Sequence, residues 1–131
     1  MAIHPKTPGI HHICLRSLDM NITRNFYQNI LGLPLALDSL DLIIFQVGIV
    51  FIAFRKANPK QESEAIFNPL GIGLDHLAIA CETEEELNRF AKGLADAGIE
   101  NTGVKFDDIL QKKYVAFKDP DRIQWEFYMV K

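Results

Sequence analysis

From residue 10 the chain alternates. Ile13 and Leu15 fall on one parity; His12, Cys14 and Arg16 fall on the other. A period of two predicts a half-buried strand over 10–17. The period then lengthens. Ile22, Phe26, Ile30 and Leu31 recur at helical spacing behind Ser17 or Asp19, either of which can cap the segment. Gly32 ends that helix just before Pro34. Strands are expected over 33–38, 41–47 and 49–55, the last two parted by a turn at Gly48. The first half therefore reads β-α-β-β-β.

The second half repeats the first. Gly9, His12 and Phe26 return 64 positions later as Gly73, His76 and Phe90, and the helix ends Leu31-Gly32-Leu33 and Ala97-Gly98-Ile99 correspond. A fixed-offset repeat of more than twenty residues decides the architecture before any local propensity does. A strand is expected over 74–81. Thr83 with Glu84, Glu85 and Glu86 forms a capping box, and Leu87, Phe90, Ala91, Leu94 and Ala95 make a buried stripe. Strands follow over 102–106, 113–118 and 123–130, the last two joined by the turn Asp119-Pro120-Asp121-Arg122. In the final strand Trp125, Phe127 and Met129 share one face; Gln124, Glu126 and Tyr128 share the other. The expected fold is α+β: one domain over 1–131, with module one at 9–56 and module two at 73–131. The linker, 57–72, has the Asn, Pro and Gly content of a loop; it is a surface connection or a lid over a site.

Bulk composition narrows the function classes. At 131 residues and 48% apolar content the chain can bury a real core. No apolar run is long enough to span a membrane, and the first eight residues lack the apolar stretch of a secretory signal. They read as a poorly ordered arm. A net charge of −3 gives no reason to expect a nucleic-acid partner. Cys14 and Cys81, one in each repeated strand, are expected to be buried reduced thiols of a cytoplasmic protein.

Three residues carry candidate chemistry. His12 and His76 occupy equivalent places in the repeat, and Glu126 has the same kind of parity: its strand neighbours on the opposite face, Trp125 and Phe127, are apolar. All three should point away from the helices. Two imidazoles and a carboxylate converging in a cleft suit a divalent transition metal with open positions for substrate. Taken singly, each is better explained as an ordinary strand residue; the repeat raises the joint case. His11 has the wrong parity for a ligand, and His4 lies in the arm.

The chain resembles the vicinal oxygen chelate superfamily, which includes glyoxalase I, bleomycin-resistance proteins, fosfomycin-resistance thiol transferases, methylmalonyl-CoA epimerase and extradiol dioxygenases. The matching features run nearly end to end: His11 to Leu15, Asn25-Phe26-Tyr27 with Leu31-Gly32-Leu33, Asp75 to Ile79, and Asp119-Pro120-Asp121 with Glu126. The resemblance implies paired modules whose curved mixed sheets enclose a metal-binding cleft, with His12, His76 and Glu126 as ligands to Fe, Zn, Mn, Ni or Co. It implies a homodimer as well. Many relatives take a fourth ligand from the last strand of module one, where this chain has Ala53. That leaves the proton-transfer set of glyoxalase I and the epimerases incomplete. Extradiol dioxygenases have a Tyr where Ala116 stands and a Gly where Arg122 stands. The cation-binding Ser-rich loop of the fosfomycin transferases has no counterpart at 107–113.

Parity supplies the remaining candidates. Arg16 shares a face with His12; Phe51 and Arg55 share one with Ala53; Gln124 and Tyr128 flank Glu126; Tyr114 lies on the neighbouring strand. The arginines suit a substrate carboxylate or phosphate, or simply end their strands in water. Either tyrosine can serve as a proton donor beside Glu126. The expectation is a metal-dependent enzyme of the lyase, isomerase or dioxygenase kind acting on a small oxygen-rich substrate. The alternative is a binding protein of the bleomycin-resistance type without turnover.

Overall fold

The computed structural model describes residues 1–58 and 66–131. Two compact units appear, Met1–Ala57 and Asn58–Lys131. Each holds one four-stranded mixed sheet with helix on one face. In the first, β1 (His12–Ser17), α1 (Met20–Arg24), β2 (Leu35–Asp38), β3 (Ile43–Val47) and β4 (Val50–Lys56) follow in order. In the second they are β5 (Leu77–Cys81), α2 (Glu84–Asp96), β6 (Asn101–Asp107), β7 (Lys112–Lys118) and β8 (Gln124–Met129). The strand orders, β1-β4-β3-β2 and β5-β8-β7-β6, are the same topology twice. In each, the first strand runs parallel to the fourth and the other pairs are antiparallel. The tandem βαβββ fold, α+β in class, is as the repeat predicts. Residues 59–65 of the predicted linker lie outside the described residues. Among the described residues no helix is long and apolar enough to cross a membrane.

The helices start where their caps allow. The Asp19 carboxylate accepts from the Asn21 and Ile22 N–H groups at 2.9 and 3.2 Å, so Asp19, not Ser17, caps α1. Ser17 is buried and donates to the Met20 sulfur instead. The Thr83 hydroxyl accepts from Glu86 N–H at 3.2 Å, and three acids in the first turn meet the positive end of the α2 dipole. Ile99 N–H returns to the Leu94 carbonyl at 2.9 Å, which requires Gly98 to sit at φ +70°.

The two modules differ inside the first helix. Beyond α1 the chain continues as a π-helical turn over Asn25–Ile30, with Leu31 N–H bonded to the Phe26 carbonyl at 2.9 Å. The wider turn buries adjacent Phe26 and Tyr27 together. Tyr27 packs on Phe54 and Phe45, ring centroids 4.5 and 5.7 Å away. In module two, Phe90 packs on Phe127 and Phe117 at 4.6 and 5.5 Å. Trp125, 2% exposed, completes the apolar face of β8. These aromatic layers fix the helix-facing side of each sheet and leave the opposite parity for chemistry.

Two expectations need correction. The strand predicted over 74–81 begins at Leu77, which leaves His76 just ahead of it. The cysteines are not both buried: Cys81 is, while Cys14 is exposed on the His12 face of β1. Burial also raises the Cys81 thiol pKa.

Candidate metal centre

Sheet register establishes which positions correspond. Cys14 pairs with Ala53 in module one, and Ala78 pairs with Glu126 in module two. Ala53 is thus the counterpart of Glu126, and no donor group stands there. Counting the same way, Phe51 matches Gln124 and Arg55 matches Tyr128.

In module two, the end of the strand–loop segment before β5 and the middle of β8 bring His76 and Glu126 together. His76 Nε2 lies 3.4 Å from Glu126 Oε2. On the other side of the ring, His76 Nδ1 lies 2.7 Å from Asp75 Oδ1. A carboxylate only accepts, so Nδ1 carries a proton, and Nε2 is the ring nitrogen that faces Glu126. With the ring in its neutral form, Nε2 and Glu126 Oε2 are two acceptors face to face. Such a pair is held together by a shared proton or a cation. Two ligands about 2.0–2.2 Å from one ion stand roughly 3.0–3.5 Å apart at ordinary coordination angles. The separation and the donor chemistry therefore fit a transition-metal ion. Burial raises the Glu126 carboxyl pKa; His76 pulls it back, and Asp107 and Asp75 push it up again. Among the described residues no third His, Cys, Asp or Glu gathers with them into a metal-binding group.

A pocket of about 150 Å³ opens in front of this pair, and His76, Glu126 and Gln124 line it together with Lys118, Thr102 and Asn101. Lys118 pairs across the sheet with Gln124, on the face that carries Glu126. Lys118 was not among the candidates read from sequence, yet its parity with Ala116 was available as a signal.

The tyrosines stack, ring centroids 5.7 Å apart, as cross-strand partners on β7 and β8. Tyr128 donates its hydroxyl proton to Asp107 Oδ2 at 2.9 Å. Burial and that bond push its pKa up to about 12. Asp107 is held below the usual carboxylate range by the Leu110 N–H, the Tyr128 hydroxyl and the Ile109 N–H. In module one, His12 pairs in register with Phe51, and Arg16 with Arg55. His12 and both arginines are exposed, and Arg16 Nη1 donates to the Lys56 carbonyl at 3.0 Å. Like charges at register partners of neighbouring strands concentrate positive charge, which is destabilising unless an anion offsets it.

The class of protein is now defined: a tandem βαβββ chain with a histidine–carboxylate pair in a pocket. It matches the Glyoxalase/Bleomycin resistance protein/Dioxygenase superfamily over residues 9–127, and the chain belongs to that superfamily. Among curated relatives it is similar to the metallothiol transferase FosB of Staphylococcus epidermidis, 26% identical over 113 residues, covering 86% of this chain and 75% of FosB. It is also similar to YwkD of Bacillus subtilis, 26% identical over 129 residues, covering 92% of this chain and 95% of YwkD. Among solved structures, a glyoxylase/bleomycin resistance protein/dioxygenase domain from Frankia sp. superposes with a TM-score of 0.80 at 23% identity, covering 96% of this chain and all of that one. That likeness shows the fold.

Proposed function

We propose that the chain is a metal-dependent enzyme that binds a small substrate through two adjacent oxygens, with His12, His76 and Glu126 as the protein ligands. The observation that carries this is the His76–Glu126 pair, a ring nitrogen and a carboxylate oxygen 3.4 Å apart, with the other nitrogen of the ring committed to Asp75. His12, the repeat counterpart of His76, completes the set from its own chain or from the second copy of a homodimer. A divalent Fe, Zn, Mn, Ni or Co ion held there supplies Lewis acidity for a developing enolate or oxyanion. The superfamily match and the metal in the name of FosB support the same reading.

The chain's own residues set the rest. Arg16 and Arg55, register partners on the His12 face, hold an anionic group of the substrate with Phe51 on the same face, and Gln124 contacts the substrate beside Glu126 in the module-two pocket. Tyr114 is the better proton donor, because the Tyr128 proton is already given to Asp107. Ala53 removes the carboxylate that would move a substrate proton from module one, so proton transfer falls to Glu126 and the tyrosine pair.

The test is elemental analysis of protein purified without chelator or affinity tag, native and His76→Ala. The expected result is about one metal ion per native chain and loss in the variant. A native chain that stays empty and refuses added metals sinks the proposal and favours the binding protein without turnover.

A further inference from the structure

The residue before each candidate ligand contacts Nδ1 of that histidine in both modules, although the residue itself has changed. In module two, Asp75 holds His76 Nδ1 at 2.7 Å. In module one, His11 Nδ1 lies 2.9 Å from His12 Nδ1, and the two rings meet edge to face. His11 and Asp75 are equivalent under the 64-residue repeat. His11 is steadied in turn by Phe51, ring centroids 5.6 Å apart. Strand parity points His11 away from the ligand face, and for that reason sequence gives it no part in the site. The hydrogen bond gives it one.

We propose that Asp75 is a positioning residue that fixes the Nδ1–H tautomer of His76 and so presents its Nε2 to a metal ion, and that His11 steadies the His12 ring through the matching Nδ1 contact without fixing its tautomer; this rests on the metal-centre reading above. An imidazole has one proton when neutral, and a partner that accepts at Nδ1 places it there. Such outer partners orient the ring and raise the basicity of the ligating nitrogen. The two modules are unequal in strength. Asp75 is a charged acceptor and leaves its histidine no choice of tautomer. His11 can accept or donate at Nδ1, and the proton between the two Nδ1 atoms can belong to either ring. Asp75 therefore contributes more than His11. Both side chains are exposed, so their replacement leaves the cores intact.

Zinc affinity of the full chain, measured by competition with a chromophoric chelator, is compared for native, Asp75→Ala, Asp75→Asn and His11→Ala. Imidazole tautomers are read in the metal-free proteins by long-range proton–nitrogen NMR. Asp75→Ala is expected to weaken zinc binding by about 10–100-fold, the usual consequence of losing an outer partner. Asp75→Asn, whose amide oxygen still accepts, recovers part of it, and His11→Ala loses less than Asp75→Ala. His76 should show the Nδ1–H form in the native chain and gain the Nε2–H form in Asp75→Ala. Zinc bound equally by native and Asp75→Ala overturns the positioning role while leaving the metal centre standing, as does a native His76 in the Nε2–H form. A native chain that takes up no zinc overturns the metal centre and this proposal with it.

Discussion

Trp125 is the anchor whose loss should unseat the site from behind. It is 2% exposed, lies in register between Leu77 and Phe117, and its strand neighbours Gln124 and Glu126 face the pocket. A buried tryptophan removes roughly 150–250 Å² from water. At about 25 cal/mol per Å² that is on the order of 4–6 kcal/mol. Alanine keeps a little of this, and measured Trp→Ala changes in cores run about 3–5 kcal/mol. Against a total of about 5–15 kcal/mol for a domain, Trp125→Ala removes a large share. With a urea slope of about 2 kcal/mol per molar, the unfolding midpoint should fall by about 1.5–2.5 M. Far-UV circular dichroism is the assay, because Trp125 is the only tryptophan and the variant loses its fluorescence. Trp125→Phe, which keeps an aromatic in place, should cost less than half as much. A midpoint for Trp125→Ala within about 0.5 M of native would refute the packing account of β8.

Further outcomes follow from single side chains. The Tyr128 phenol is raised in the fold, so the folded state holds its proton more tightly; the stability this contributes is present below pH 10 and is lost as pH rises toward 12. An absorbance titration of native minus Tyr128→Phe should show one phenol ionising near pH 12, and one ionising near pH 10 would contradict the Asp107 bond. Arg122 sits at φ +69°. Arg122→Gly should relieve the left-handed backbone and lose only an exposed, solvent-screened ion pair with Glu100, leaving the thermal midpoint close to native; a large fall would contradict this. A thiol reagent should modify Cys14 quickly and spare Cys81 until the protein unfolds, and Cys14→Ala should abolish the fast phase. Equal reaction at both would contradict the burial of Cys81.

The repeat carried most of the fold into view. Two strands with the same parity, each followed by an amphipathic segment ending at Gly32 or Gly98, leave little choice of topology, and the register confirms that Ala53 and Glu126 correspond. What sequence could not show depends on detail finer than periodicity. The π-helical turn over Asn25–Ile30 changes one hydrogen-bond spacing and so buries Phe26 and Tyr27 side by side, while the apolar spacing reads as an ordinary helix. Cys14 looked apolar by residue type, but its parity is that of His12, and parity won. Lys118 and Asp75 escaped notice for opposite reasons. Lys118 lies on the right face of a strand that offered no motif. Asp75 acts through a bond to the next side chain, which no face assignment reveals. Arg122 explains a departure from the family pattern: the dioxygenase signature has Gly where the backbone here is left-handed, and this chain accepts Arg with an ion pair to Glu100.

In the proposed metal centre His12, His76 and Glu126 hold one ion. Titration of the metal-free chain with cobalt(II), followed by visible absorption, tests it most directly when repeated for His12→Ala, His76→Ala and Glu126→Ala. The account predicts one ion per native chain and, for each variant, a loss greater than the roughly 10–100-fold that removal of an outer partner brings. Native-like cobalt binding by any one of the three would contradict the assignment of that ligand, and no binding by the native chain would contradict the metal centre itself.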